Sequence, residues 1–295
     1  MSNFDFSDFT KTSIDSIGAK ASPRVKEVMP ILLRKLHEFL VEADVTHEEM
    51  MAAFDLLVKA GQVSDDKRNE ILLIFDILGV ESLVDALDQT RPARKGGKTT
   101  EASPSAILGP FYRYGVPEQP NGTTIIRQDE PDAPYTHLYG TIYDGDGKPL
   151  PNAVVDIWHD APDGLYDAQT PEKPEYHCRG RFRTDENGRY DTVCLRPTPY
   201  PIPYDHQAGQ LLTMMDRHPY RPAHIHYWIE ADGHRTLVSQ IFDRESDYLT
   251  DDAVFAVKDK LIVDFKPIPK DYVPPKGLEG KMKYELEQDF RLERV

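Results

Sequence analysis

The 295-residue chain carries 35 Lys+Arg against 50 Asp+Glu, a formal charge of −15, which argues against nucleic acid or an anionic membrane as partner and fits a protein acting on a small molecule. Two cysteines, Cys178 and Cys194, cannot build a disulfide framework or a Cys-based zinc site. No apolar run approaches the roughly 20 residues that cross a bilayer, and MSNFDFSDFTK has neither the basic nor the apolar region of a secretory signal, so a reducing cytoplasm is the expected location.

The first hundred residues read as helical. Segment 24–43 has apolar residues at mixed three- and four-residue spacing, with a kink expected at Pro30. Thr46 and Glu49 form a capping box ahead of a helix ending near Gly61. Ser64 is placed to cap a third helix running through NEILLIFDIL to about Gly79, and a short fourth covers 81–88. Residues 90–105, polar, basic and rich in Gly and Pro, read as a linker. The expected organisation is therefore a helical domain with linker over 1–105 and a catalytic β-sandwich over 106–295.

From residue 137 on, short alternating runs are separated by turn signals. HLYGTIYD and AVVDIWHD flank GDGKP, two further candidates flank DENG, and IHYWIE and TLVSQIF follow. Strands at this spacing predict a β-sandwich, and the overall fold class is mainly β with a helical N-terminal part.

The chemistry begins at His224 and His226. In a strand, residues i and i+2 share a face, so both imidazoles can reach one metal ion. The competing reading is a histidine pair on a half-wet sheet face. Tyr166 sits in a Gly-flanked loop after AVVDIW, and Tyr200 in the Pro-stiffened loop PTPYPIPY. Loop tyrosines usually pack or cap, but ahead of a His-x-His strand they become candidate oxygen ligands. A phenol with a pKa of roughly 10 ionises at neutral pH only beside a strong Lewis acid. Fe(III) suits two phenolates and two imidazoles. Zinc more often takes Cys, His or carboxylate, and ferrous oxygenases use two histidines and a carboxylate.

HLYGTIYDGDGKPLPNAVVDIWHDAPDGLYD resembles the signature of the intradiol ring-cleavage dioxygenases, agreeing at Gly140, Ile142, Gly147, Leu150, Val155, Asp156, Ile157, Gly164 and Tyr166. AILGPFYRYGVP, PTPYPIPYD, RPAHIHYWI and LVSQIFD match the same family, and with the helical segment the likeness covers nearly the whole chain. It is nearest to the hydroxyquinol and catechol 1,2-dioxygenases. The resemblance implies one Fe(III) per chain held by Tyr166, Tyr200, His224 and His226. It also implies an active-site arginine and glutamine at Arg221 and Gln240. Read without it, Arg221 is a surface ion-pair residue and Gln240 a strand residue facing water. In the family one ligand tyrosine, here Tyr200, detaches and accepts a substrate proton. Arg221 then stabilises the negative charge that develops on the ring.

The family's pocket draws on the N-terminal helices and on the segment before Gly109 and Pro110. Leu73 and Asp76 share a helix face. Asp76, embedded among apolar residues, either reaches water, pairs with an arginine, or accepts a hydrogen bond from a third substrate hydroxyl. Ile107, Leu108, Phe111 and Tyr112 are expected to line the apolar side, with Ile202 and Val254 completing the wall. LGPFY looks more like the hydroxyquinol group than the catechol group. The favoured substrate is therefore hydroxyquinol, with O2, in the breakdown of aromatic compounds. The alternative is catechol or a chlorocatechol, giving cis,cis-muconate. Outside this class stand a non-enzymatic β-sandwich binding module and a zinc hydrolase built on His224 and His226. The helices carry more apolar surface than they can hide alone, which predicts a homodimer through them. In the family that contact encloses a channel for lipid tails, so phospholipid is an expected companion there.

Overall fold

The computed structural model describes residues 5–65, 68–94 and 101–295. By contacts the chain divides into two compact units, Met1–Lys59 and Ala60–Val295. Helices α1 (Phe6–Asp15), α2 (Pro23–Glu42) and α3 (His47–Val63) come first. Asp5 caps α1 by accepting from the Ser7 and Asp8 amides, and Ser22 caps α2, which has Pro23 at its first position. The capping box forms: the Glu49 amide donates to Thr46 Oγ1 at 3.2 Å and the Thr46 amide donates to Glu49 Oε2 at 2.8 Å. In the first unit α1 and α2 meet at Phe9 and His37, whose rings are 5.6 Å apart.

Next come α4 (Glu70–Ile77) and α5 (Val80–Arg94). Ser64 does not cap α4. Asn69 does, accepting from the Leu72 amide at 2.9 Å, while Ser64 accepts the Glu70 amide from further back. An Asn adjoining the first helical turn reaches its free N–H groups more directly than a Ser six residues away. Helix α5 runs past the expected 81–88 and takes up residues 90–94 of the expected linker; 95–100 lie outside the described residues.

The strands are β1 (Tyr135–Tyr143), β2 (Val154–Trp158), β3 (Arg179–Arg183), β4 (Arg189–Leu195) and β5 (Tyr200–Pro201). Helix α6 (Gln207–Met214) precedes β6 (Tyr220–Arg221), β7 (His224–Glu230) and β8 (Leu237–Asp243). Last come β9 (Ile262–Val263), β10 (Lys266–Pro267), β11 (Met282–Glu287) and β12 (Phe290–Arg291). In one sheet β1 lies between antiparallel β4 and parallel β11 and β12, with β10 beyond β11. The second sheet has the order β3-β2-β7-β8-β9, and β5 pairs β6 separately.

The two sheets bury one core between them. Leu138 and Ile142 of β1 meet Val155 and Ile157 of β2, and Ile225, Tyr227 and Ile229 of β7. Alternation then turns Asp156 and Trp158, His224 and His226, and Gln240 to the opposite face of the second sheet. That face is buried too, because segment 106–116 crosses it. Tyr112 stacks on Trp228 at 4.9 Å and donates its hydroxyl to Asp156. Cys178 and Cys194 are free and buried. Among the described residues no helix is long and apolar enough to cross a membrane.

Gly140 marks where β1 passes the junction of β11 and β12. A Cβ there would lie 1.8 Å from the Gln288 carbonyl oxygen, which is backbone and cannot swing away. Gly140→Ala should therefore cost about 3 kcal/mol or more of unfolding free energy. Urea titration of both proteins measures it, and a loss under about 1 kcal/mol would show that the strands slide apart freely.

Candidate active site

Two strand registers assemble the site. In β7 and its neighbours His226 stands opposite Trp158 of β2 on one side and Gln240 of β8 on the other. Trp158 stacks on the His226 ring at 4.7 Å and 10°. In the small β5–β6 ladder Tyr200 stands opposite Arg221, three residues before His224. The Tyr166 loop closes in through Gly164, which has φ +74°; a Cβ there would come 3.1 Å from the Tyr200 Cβ. Only a glycine meets both demands without strain.

The four expected ligands converge. The Tyr166 and Tyr200 hydroxyls are 3.5 Å apart, and the Nε2 atoms of His224 and His226 are 3.1 Å apart. All four side chains are buried, which removes the half-wet histidine pair. His224 Nδ1 lies 2.7 Å from the Pro222 carbonyl and must carry its proton there. Its Nε2 therefore turns a lone pair toward His226. Burial, helped by Arg221, holds the His224 pKa well below the ordinary value, and burial with His224 does the same for His226. Burial also raises both phenols, with Arg221 pulling Tyr200 back down. Two neutral imidazoles and two phenols that ionise only beside a positive charge fit a strongly polarising cation. Among the described residues no group of three or more His, Cys, Asp or Glu is placed to hold a metal ion.

Arg221 is the electrostatic hub and not a surface residue. It is 2 % exposed. Its Nε donates to Asp252 at 3.1 Å, Nη2 to Gln240 Oε1 at 2.8 Å, and Nη1 lies 3.0 Å from His224 Nε2. Gln240 does not face water: its Nε2 donates to the Ile107 carbonyl at 2.7 Å. Burial opposes the guanidinium charge, but Asp252 and the phenols outweigh it and its pKa is raised. Sequence reasoning missed Asp252, Trp158 and the Gly164 approach. Trp158 could have been found by pairing β2 with β7; Asp252 left no signal beyond a polar loop.

A cleft of about 620 Å³ is lined by Leu165 and Pro201, the chain neighbours of Tyr166 and Tyr200. Leu73, Pro110, Phe111 and Ile202 line it as expected, and Phe111 stacks on Tyr166 at 4.5 Å. Asp76, Ile107, Leu108, Gly109 and Val254 do not line it. Gly109 lies against the His226 ring instead. The Val254 amide donates to Asp252, behind Arg221. Tyr112 points to Trp228, away from the expected wall, because its hydroxyl finds Asp156 there. Asp76 is buried, so it does not reach water, and its carboxyl stands within hydrogen-bonding reach of the Glu81 carboxyl. Burial first, then Glu81, pushes its pKa well up against the pull of Arg221.

Comparison with known proteins gives two family-model matches, Dioxygenase over residues 107–293 and Catechol dioxygenase N terminus over 22–96. A catechol 1,2-dioxygenase of Candida albicans is 42% identical over 285 residues, covering 96% of this chain and 91% of its own. A hydroxyquinol 1,2-dioxygenase of Rhizobium sp. is 42% identical over 247 residues, covering 83% and 81%. The crystal structure of hydroxyquinol 1,2-dioxygenase from Pseudomonas putida DLL-E4 superposes with TM-score 0.85 at 33% identity, covering 98% of this chain and 99% of that one.

Asp252→Ala leaves the Arg221 charge buried without its carboxylate. Unfolding free energy should fall by about 3–5 kcal/mol. Chemical denaturation reads this, and an unchanged midpoint would mean that the phenols and Gln240 suffice to hold the guanidinium.

Proposed function

We propose a reaction on the premise that this chain belongs to the intradiol ring-cleavage dioxygenases: it opens hydroxyquinol with dioxygen to 3-hydroxy-cis,cis-muconate, the tautomer of maleylacetate. The observation that carries this substrate is Asp76, a carboxyl buried against the Glu81 carboxyl in the field of Arg221. Two carboxyls buried together cost free energy that a hydroxyl of the ligand lowers. With its pKa raised by burial and Glu81, Asp76 is a neutral acid on the same helix as Leu73 of the cleft wall, able to donate to or accept from a hydroxyl that reaches past that wall. Catechol is the second reading, favoured by the catechol-named relative, which matches as closely as the hydroxyquinol-named one.

Tyr166, Tyr200, His224 and His226 would hold one Fe(III). When bound, the iron supplies a Lewis acid and a template that acidify and orient the two ring hydroxyls. Tyr200, beside Arg221, accepts a proton from a substrate hydroxyl at its phenolic oxygen. Arg221, fixed by Asp252 and Gln240, presents its charge to the ring as negative charge builds there, without reorganising. Phe111 and Leu73 hold the ring's apolar edge. A homodimer through the N-terminal helices is supported by their exposed apolar side chains, among them Ile31, Leu32, Phe39 and Phe54. A cleft of about 600 Å³ lined by Ile14, Val41, Lys11 and Arg34 suits a phospholipid there.

Purified protein should be wine-red with about one iron per chain. Tyr200→Phe should shift the colour and cut turnover by about a hundredfold or more, since the departing base is gone; a variant that kept wild-type colour and rate would remove Tyr200 from the ligand set. Asp76→Leu should lower kcat/KM for hydroxyquinol by about tenfold, the worth of one neutral hydrogen bond, while catechol holds or gains. Equal fractional losses on both substrates would make Asp76 structural and favour catechol.

A further inference from the structure

The loop that carries Tyr166 is closed by Gln169. The Gln169 amide donates to the Tyr166 carbonyl at 3.0 Å, and the Tyr166 amide donates to Gln169 Oε1 at 2.8 Å. A carboxamide whose oxygen is committed to one N–H turns its NH2 the other way. Gln169 is half-buried and lines the same cleft as Leu73, Phe111 and Ile202. Arg68 and Asn69, which also line the cleft, are engaged in structure. Arg68 lies 2.8 Å from Glu70 and 2.7 Å from Asp205, and the Asn69 oxygen caps α4. Glu70 in turn accepts the Ala208 amide at 2.7 Å, tying α4 to α6. Gln169 differs from these in being bonded to a phenol-bearing residue.

We propose, resting on the reaction above, that Gln169 is a substrate-contacting specificity residue: its Nε2 donates to an oxygen substituent on the bound ring while its Oε1 holds the Tyr166 backbone in place. The ligand class is catechols bearing a further hydroxyl, as against those bearing an isosteric methyl group, because oxygen accepts from N–H and carbon does not. The donor differs from Asp76 in kind and position: it belongs to the Tyr166 loop and to the wall of the cleft, whereas Asp76 belongs to α4 and lies outside that wall.

Two variants separate the two halves of the amide. Gln169→Glu keeps an acceptor for the Tyr166 amide and loses the donor; Gln169→Leu loses both. The measurements are anaerobic Kd and kcat/KM for hydroxyl- and methyl-substituted catechols at the 3- and 4-positions, with the visible charge-transfer band of each protein. Wild type should prefer hydroxyl over methyl at one position or both. Gln169→Glu should reduce that preference about tenfold, mostly in Kd, with the band unmoved. Gln169→Leu should lose the preference and shift the band as Tyr166 loosens. Wild-type preference ratios in both variants would overturn the proposal, as would equal losses on hydroxyl and methyl substrates, the mark of a merely structural role. An iron-loaded wild type that opens no catechol at all would overturn the reaction itself, and this assignment with it.

Discussion

The alternation of β7 is the constraint on which the rest of this structure depends. One strand has to serve a core and a reaction site at once. Ile225, Tyr227 and Ile229 seal the sandwich, and that commitment fixes His224 and His226 on the other face. A register slip of one residue would put two imidazoles into hydrocarbon and two apolar side chains among the phenols. The core therefore enforces the site: the free energy that packs the sheets also aims the imidazoles. The neighbouring strands extend the same logic, since the row Trp158, His226, Gln240 runs across three strands and stacks Trp158 on the central ring.

Charge is managed around a single buried guanidinium. Arg221 contacts Asp252, Gln240 and His224, and its electrostatic influence reaches both phenols and Asp76. Such a cation is costly to bury unless its partners are fixed beforehand. They are fixed by different means: Gln240 by the β8 ladder and the Ile107 carbonyl, Asp252 by the Val254 and Ala256 amides, His224 by the Pro222 carbonyl. The result is a polar knot that moves as a unit or not at all, which is what preorganised stabilisation of developing charge requires.

What the sequence made legible followed from local periodicity. The i, i+2 rule placed both histidines, the capping box placed the start of α3, and turn signals bracketed β1 to β4. The tyrosines were singled out by their loops, yet their convergence depends on the β5–β6 pairing and on Gly164, which no local pattern reports. Misreadings came where two local signals competed. Ser64 and Asn69 are both good caps, and proximity to the first turn decided for Asn69. Residues 90–94 look like linker by composition but continue α5. Tyr112 was assigned to the pocket by its neighbours in the chain, whereas its hydroxyl needed Asp156. Asp252 acts on Arg221 from 31 residues along the chain, and nothing in its own segment marks it; Glu81 acts on Asp76 across the turn between α4 and α5.

Catechols in aerated water oxidise readily to ortho-quinones, electrophiles that capture thiolates. A protein that gathers such substrates works in a solution that attacks cysteine. Both cysteines here are buried, Cys194 at 0% exposure in the core between the sheets and Cys178 at 1% in a second cluster with Tyr135, Val193 and Leu195. Burial raises both thiols far above their ordinary pKa, with Asp160 and Cys194 adding to it for Cys178. The nucleophilic form is thereby scarce and out of reach. The fold thus shields the chain's two most alkylation-prone atoms from the side chemistry of its own substrate.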